Sequence, residues 1–372
     1  MKLAILGYGT VGKHVCKILE ESAGARQRFQ VKYILRRPGK ADGPQMITEF
    51  DTILRDSEID AVVDVLPGVE PSLTYMKQAL LAGKHVVSAN KAALCEGFPE
   101  LLAAADKGHA ALLYEASCGG TLPIITQTKA LAAVDELTEA SGILNGTCNY
   151  ILYHMEEDGM EFADALAAAK RLGYAEADPT ADISGYDVRN KAVLLAATAY
   201  RSLVTKNIPT AGIEQVSKAV LQYFREEGKS VKLMAISRRE GQRYAIGVAP
   251  ILLPAGSQEA RVPNNYNLAS VTGSFSGVLK FYGQGAGGYP TADAVVRDLM
   301  QLPEAGQTAD AAAMSFFDQT LRYDEQLLTG TGYFFSESGE PMGSVEACSL
   351  AALCRSAKEK NALLVFAPET LS

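Results

Sequence analysis

Residues 172–191, LGYAEADPTADISGYDVRNK, crowd Glu176, Asp178, Asp182, Asp187, Arg189 and Lys191 into one short stretch. A helix beginning near Ser184 puts Asp187 and Lys191 four apart, on one face. The residues that follow, AVLLAATAY, are almost entirely apolar, so the helix is expected to be buried on every side. Buried charges are costly unless they are paired or meet a ligand. The acids and the lysine are therefore expected to form the polar wall of a cleft.

A second constellation opens the chain. GYGTVG supplies Gly7, Gly9 and Gly12 in G-x-G-x-x-G spacing, with Thr10 and Val11 between them, after an apolar strand and before a helical run. Gly7 permits a tight turn, Gly9 lets the backbone approach a pyrophosphate, and Gly12 lets helix and strand pack closely. The helix N-terminus adds unpaired N–H groups and a positive dipole end. An acid closing the second strand would select NAD(H), but Arg36 and Arg37 stand there with Lys40 following, which suits the 2′-phosphate of NADP(H). In SANK, Asn90 and Lys91 close a later strand, at the edge where this architecture binds ligands.

Positioning these groups requires an alternating frame. KLAIL, VKYILRR, DAVVDVLP, HVVSA and ALLYEAS read as strands, and VGKHVCKILEES, SLTYMKQALLAG and PELLAAADKG as helices. That alternation predicts a Rossmann-type α/β domain with a parallel sheet over 1–128. From 129 to 290 the runs ELTEASGILN, KSVKLMAISRR and RYAIGVAPILL predict an antiparallel sheet with the helices FADALAAAKRLG and GYDVRNKAVLLAATAYRSLV, an α+β substrate-binding and dimerisation domain. TADAVVRDLMQL opens a helical segment, 291–320, expected to return to the first domain. Residues 323–372 read as a short β-α-β tail: GYFFSES, VEACSLAALCRSAKEK and NALLVFAPE.

The 372 residues are 48% hydrophobic and 21% charged, ordinary for a globular chain of two domains. A net charge of −8 without a long basic block argues against nucleic acid or an anionic membrane surface as partner. No apolar run reaches the ~18–20 residues that span a bilayer. Glycines break the N-terminal apolar run where a secretory leader would continue it, and the six cysteines show no C-x-x-C pairing. Reduced thiols in a cytoplasm are expected. The four histidines lack metal-ligand spacing.

LGYAEADPTADISGYDVRNK resembles the signature of homoserine dehydrogenases, from Ala169 through Gly173, Pro179, Asp182, Gly185 and Asp187 to Lys191. GYGTVG, GKHVVSANKAAL, YEASCGGTLPII, SGILNGTCNYIL and FYGQGAGGYPTADAVV resemble that family's blocks, in its order, over roughly residues 1–320. The resemblance implies NAD(P)-dependent interconversion of L-homoserine and L-aspartate 4-semialdehyde, in the pathway to threonine, methionine and isoleucine. It assigns Glu176 and Asp182 to the substrate's ammonium and backbone, with Tyr174, Asn145, Gly146 and Thr147 in the same pocket. It assigns Asp187 and Lys191 to the reacting oxygen, and makes Lys91 the other site lysine. It adds Gly287 to the cofactor residues. YEASCGG resembles the family segment that holds a monovalent cation (Na+ or K+) through Glu115 and the carbonyls of Cys118 and Gly120. The chemistry suits these residue types: reducing an aldehyde builds negative charge on its oxygen, which an ammonium stabilises and protonates.

Several positions depart from the family pattern: Pro67 and Thr121 replace glycines, and Cys148 replaces a threonine. The chain is also short between VTGSFSGVL and FYG. The shortened hairpin and Pro67 support as the alternative a related dehydrogenase acting on another small amino-acid aldehyde or ketone; a non-catalytic NADP-binding regulator is the rival of another class. A homodimer built through the second domain's sheet is expected.

Overall fold

The computed structural model describes residues 1–40, 43, 45–202, 207–304 and 317–371. Residues 305–316, in the expected 291–320 return, lie outside the described ones. Two compact units divide the chain, Met1–Ile125 with Gly287–Phe317, and Thr126–Ala286 with Asp318–Ser372.

The first unit is built on six strands: β1 (Lys2–Leu6), β2 (Gln30–Leu35), β3 (Met46–Ile47), β4 (Ile59–Asp64), β5 (His85–Ser88) and β6 (Leu112–Leu113). Their order is β3-β2-β1-β4-β5-β6, with every pairing parallel. The order reverses between β1 and β4, the switch point where a dinucleotide binds in this architecture. Leu3, Ile5, Ala61, Val63 and Val87 share one buried core, and the alternate residues Ala4, Leu6, Val62 and Val86 are buried as well, so the sheet is covered on both faces, as continuous apolar strands must be. The helix Thr10–Glu21 buries Gly12, Val15, Cys16 and Leu19, one face at helical spacing, and the helix Gly288–Gln301 shares that core through Val295 and Leu299.

The second unit carries nine strands: β7 (Leu137–Ile143), β8 (Lys229–Glu240), β9 (Arg243–Pro254), β10 (Tyr266–Gly273), β11 (Gly277–Gln284), β12 (Arg322–Tyr323), β13 (Thr329–Phe335), β14 (Pro341–Ser349) and β15 (Leu363–Pro368). They run β11-β10-β7-β8-β9-β15-β13-β14, with β12 pairing β9. The tail thereby extends the sheet of this unit. Phe334, Leu353 and Phe366 from the tail share one core with Met234, Ile251 and Leu268.

Three elements differ from the sequence reading. VEACS belongs to β14, paired with β13, and the tail helix begins only at Leu350, where the Ser349 side chain caps it through Ala352 N. ALLYEAS is a strand only at Leu112–Leu113 before a 3-10 turn, Glu115–Ser117. The helix expected from Pro99 runs from Lys91, because Asn90 caps it; Gly97 (φ −116°, ψ 19°) kinks it just before the proline.

Candidate active site

The glycine turn, the expected cofactor cradle, lies in the first unit. Gly7 has φ +101°, the left-handed region that favours glycine, and a Cβ there would meet Val65 O at 3.1 Å. A Cβ on Gly12 would come within 2.3 Å of Gly7 O, so helix and strand approach closely only because both positions are glycine. At Gly9 the space is open. Gly9 forms the N-cap of the helix starting at Thr10 and Val11, with no side-chain cap. The first-turn N–H groups of such a helix lack intrahelical partners. The three glycines thus fit a cradle for a pyrophosphate, two by close packing and one by leaving room.

Around this turn, Arg36 follows β2 directly, its guanidinium 5.5 Å from the Tyr8 ring centre and its Nη1 3.6 Å from Met46 Sδ, while Arg37 is exposed. Gly287, at φ +132°, precedes the helix Gly288–Gln301. Gly288 stands so close to His14 that a Cβ would lie 2.6 Å from the imidazole. Asn90 is committed structurally: its Nδ2 donates to Leu66 O (2.9 Å) and Gly68 O (2.6 Å), and its Oδ1 accepts from Ala93 N. Lys91 is the first residue of the helix it caps.

Glu115 is buried, with its Oε1 accepting from Ile125 N (2.8 Å) and its own N–H donating to Asp298 Oδ2 (2.8 Å). Gly119 and Gly120 follow at φ +78° and +63°, turning the chain beside it. Asp298 escaped the sequence reading because a single acid on a largely apolar helix carries no pattern. Asp64 escaped too, although an acid closing the apolar run DAVVD is a visible signal. It is fully buried, and its Oδ2 accepts from Ser72 Oγ (2.6 Å) and Ser88 Oγ (2.9 Å).

The signature stretch lies in the second unit, where one amide gathers Asp182 and Asp187. Asn145 Nδ2 donates to Asp182 Oδ1 at 2.7 Å and to Asp187 Oδ2 at 2.8 Å. Its Oδ1 accepts from Cys148 N, capping the helix Gly146–Glu157. Lys191 Nζ stands 2.7 Å from Asp187 Oδ2 and donates to Leu144 O at 2.6 Å. Asp187 and Lys191 are 6% and 8% exposed, so this is a buried pair, not a solvated helical bridge.

The helix carrying them, Tyr186–Tyr200, begins after Gly185, whose φ of +81° lets the chain turn sharply out of Thr180–Ile183. Every residue from Lys191 to Tyr200 is buried, as the apolar run predicts. Thr147 Oγ1 donates to Tyr174 O (2.6 Å), tying the signature turn to the same helix start. A Cβ on Gly146 would meet Asn265 O at 2.6 Å, so that position needs its glycine. Glu176 is exposed and stands outside this hydrogen-bonded network, and Tyr174 keeps its ring half in solvent.

Cys148 Sγ lies 3.2 Å from Asp182 O. Burial, reinforced by Asp182 and Asp187, pushes its thiol well above the ordinary range, which leaves it un-ionised packing beside the acids. Two acids thus stand against one lysine in this cluster, an arrangement that can receive a cationic amine next to a group able to protonate an oxygen. Among the described residues, no three His, Cys, Asp or Glu side chains converge as a metal site, and no helix is long and apolar enough to cross a membrane.

Comparison with known proteins bears on both halves. Residues 7–115 match the family model for the homoserine dehydrogenase NAD-binding domain, and residues 123–300 that for homoserine dehydrogenase. The chain is 35% identical over 348 residues to homoserine dehydrogenase of Corynebacterium glutamicum, covering 86% of this chain and 78% of the relative. It is 39% identical over 313 residues to that of Mycobacterium tuberculosis, covering 80% and 71%. The solved homoserine dehydrogenase of Thiobacillus denitrificans superposes with a TM-score of 0.82 at 32% identity, over 90% of this chain and 81% of that one. The glycine turn in one unit, the acid-and-lysine cluster in the other and these likenesses place the chain in the homoserine dehydrogenase family, NAD(P)-dependent oxidoreductases acting on a CH–OH group.

Proposed function

We propose that the protein interconverts L-aspartate 4-semialdehyde and L-homoserine with NADP(H) as the preferred cofactor, in the cytoplasm and on the route to threonine, methionine and isoleucine. The observation that carries this reading is the cluster of Asn145, Asp182, Asp187 and Lys191, with 2.7–2.8 Å contacts throughout. Gly7, Gly9, Thr10, Val11 and Gly12 would hold the pyrophosphate, and Arg36 with Arg37 the 2′-phosphate. When bound, the nicotinamide supplies the hydride.

The chain's own residues do the rest. Asp182 and the exposed Glu176 receive the substrate ammonium, and Asn145 keeps Asp182 and Asp187 in register. Asp187 orients the Lys191 ammonium, which stabilises negative charge on the former carbonyl oxygen and gives it a proton. In the oxidative direction the neutral amine of the same lysine takes the hydroxyl proton while the hydride leaves for the oxidised nicotinamide. Lys91 is proposed as the other site lysine.

Glu115 and the carbonyls of Cys118 and Gly120 would supply the oxygen donors for a hard monovalent cation. The buried carboxylate and the two left-handed glycines support that assignment. A homodimer is proposed through the second unit's sheet, whose edge strand β11 exposes Val278, Leu279 and Tyr282. The test of the function is NADPH oxidation with aspartate semialdehyde, run beside a panel of other small amino-acid aldehydes and ketones. Turnover of another panel member without turnover of the semialdehyde would overturn the substrate assignment.

A further inference from the structure

At the carboxyl end of β4, a buried hydrogen-bonded ring surrounds a side chain that the reaction itself does not use. Asp64 is fully buried, and no cation pairs with it among the described residues. Both Ser72 Oγ (2.6 Å), at the start of the next helix, and Ser88 Oγ (2.9 Å), at the end of β5, donate to its Oδ2, and Leu66 N reaches Oδ1 at 3.3 Å. Ser88 Oγ in turn accepts from Asn90 N at 3.0 Å. The Asn90 amide then closes the ring on Leu66 O and Gly68 O.

Direction matters in this ring. An acceptor-only group at position 64 forces both serine hydroxyls to donate inward, which leaves Ser88 an oxygen lone pair for Asn90 N. Both Asn90 amide hydrogens are then directed at the carbonyls of the turn after β4. That turn is in contact with the glycine loop: a Cβ on Gly7 would lie 3.1 Å from Val65 O and 3.3 Å from Leu66 Cδ2, and one on Gly12 3.3 Å from Val65 Cγ2. The 65–71 turn and the glycine loop are therefore the two walls of the β1/β4 switch point, where dinucleotides bind. Burial raises the Asp64 carboxyl to about 6 against the pull of its three donors, and an N–H on Oδ1 with two hydroxyls on Oδ2 is the pattern a carboxylate receives. A buried carboxylate held by hydrogen bonds alone, without a cation, is costly to retain for packing.

We infer that Asp64 is a positioning residue of the cofactor half-site, holding the 65–71 turn and Asn90, and with it the start of the Lys91 helix, in the arrangement that receives the nicotinamide end of NADP(H). The inference rests on the cofactor reading above. Its test compares the full-length protein with the D64N and S88A variants, measuring NADPH affinity by the cofactor's own fluorescence, KM for NADPH and for semialdehyde separately, and thermal midpoints. Asp64→Asn keeps an oxygen for the serines but turns an NH2 towards Leu66 N, and Ser88→Ala cuts the link to Asn90. Loss of one such bond predicts an NADPH Kd raised about tenfold in each variant. KM for semialdehyde should stay within about twofold, on the same scale of bond energies. Wild-type NADPH affinity in S88A overturns the inference, whether or not D64N folds. A parallel fall in NADPH affinity, semialdehyde affinity and thermal midpoint overturns it in favour of a role in folding alone. Absence of NADPH binding by the wild type overturns the cofactor reading and this inference with it.

Discussion

Replacing Lys191 with methionine separates what the lysine does for the fold from what it does for the reaction. The substitution keeps the length of the side chain and deletes the ammonium that stands 2.7 Å from Asp187 Oδ2. Asp187 is only 6% exposed, so its charge cannot turn to water once the pair is broken. Removing one partner of a buried pair costs about 3–5 kcal/mol, and the Asn145 amide at 2.8 Å keeps the cost towards the lower end. Adding Asp187→Asn removes the orphaned charge, and the double variant should recover roughly 2 kcal/mol of that loss.

Catalysis should not recover. Without the ammonium, the developing oxyanion has neither its stabilising charge nor its proton, a loss of about 10²–10⁴ in kcat in both variants. NADPH affinity, which belongs to the other unit, should hold. The assays are urea midpoints and initial rates of NADPH oxidation with semialdehyde on the same preparations. A Lys191→Met protein retaining kcat within about tenfold of wild type would remove the lysine from proton transfer, since general acid–base groups contribute at least ~10². A double variant no more stable than the single one would show that the pair is not what the substitution breaks.

Other outcomes follow from the same geometry. Replacing Arg36 and Arg37 together by alanine should raise KM for NADPH by about 10–100-fold while moving KM for NADH little, because only the 2′-phosphate contact is lost. Equal effects on the two cofactors would reject the phosphate assignment. Lys232 is 1% exposed with its Nζ 3.0 Å from Val262 O, and burial lowers it to about 8. A lysine depressed in the folded state stabilises that state above its unfolded value near 10.4 and loses the contribution as pH falls through about 8. Between those limits wild type should gain roughly 3 kcal/mol relative to Lys232→Met, at about 1.4 kcal/mol per pH unit, and parallel urea-midpoint profiles would contradict this. Phe366→Ala should cost about 3–5 kcal/mol in chemical denaturation, because its fully buried ring joins tail to sheet; a cost under ~1 kcal/mol would show the tail to be an appendage.

Local patterns made much of this protein legible. The glycine turn showed itself because each glycine answers a steric demand set within a few residues or by the adjoining strand. The Asp187–Lys191 pair and the buried helix beyond it followed from helical spacing and an unbroken apolar run, properties of contiguous chain. The strand character of VEACS was hidden, since the same residues read equally well as a helix until β13 supplies hydrogen-bond partners. The extent of the helix from Lys91 was masked by Pro99, which punctuates the sequence but only kinks the structure.

What tertiary structure alone decided is which polar groups share a partner. Asn145 lies 37 residues from Asp182 and 42 from Asp187, and no spacing rule joins one amide to both. Asp64 meets Ser88 because parallel strands bring their carboxyl ends together, and Ser72 because the turn after β4 returns the next helix to that end. Sequence carried the inventory of charges and the periodicity that buries them. Folding chose the convergences, because hydrogen bonds among buried groups depend on strand order and helix entry angle, which are set by packing across the whole unit.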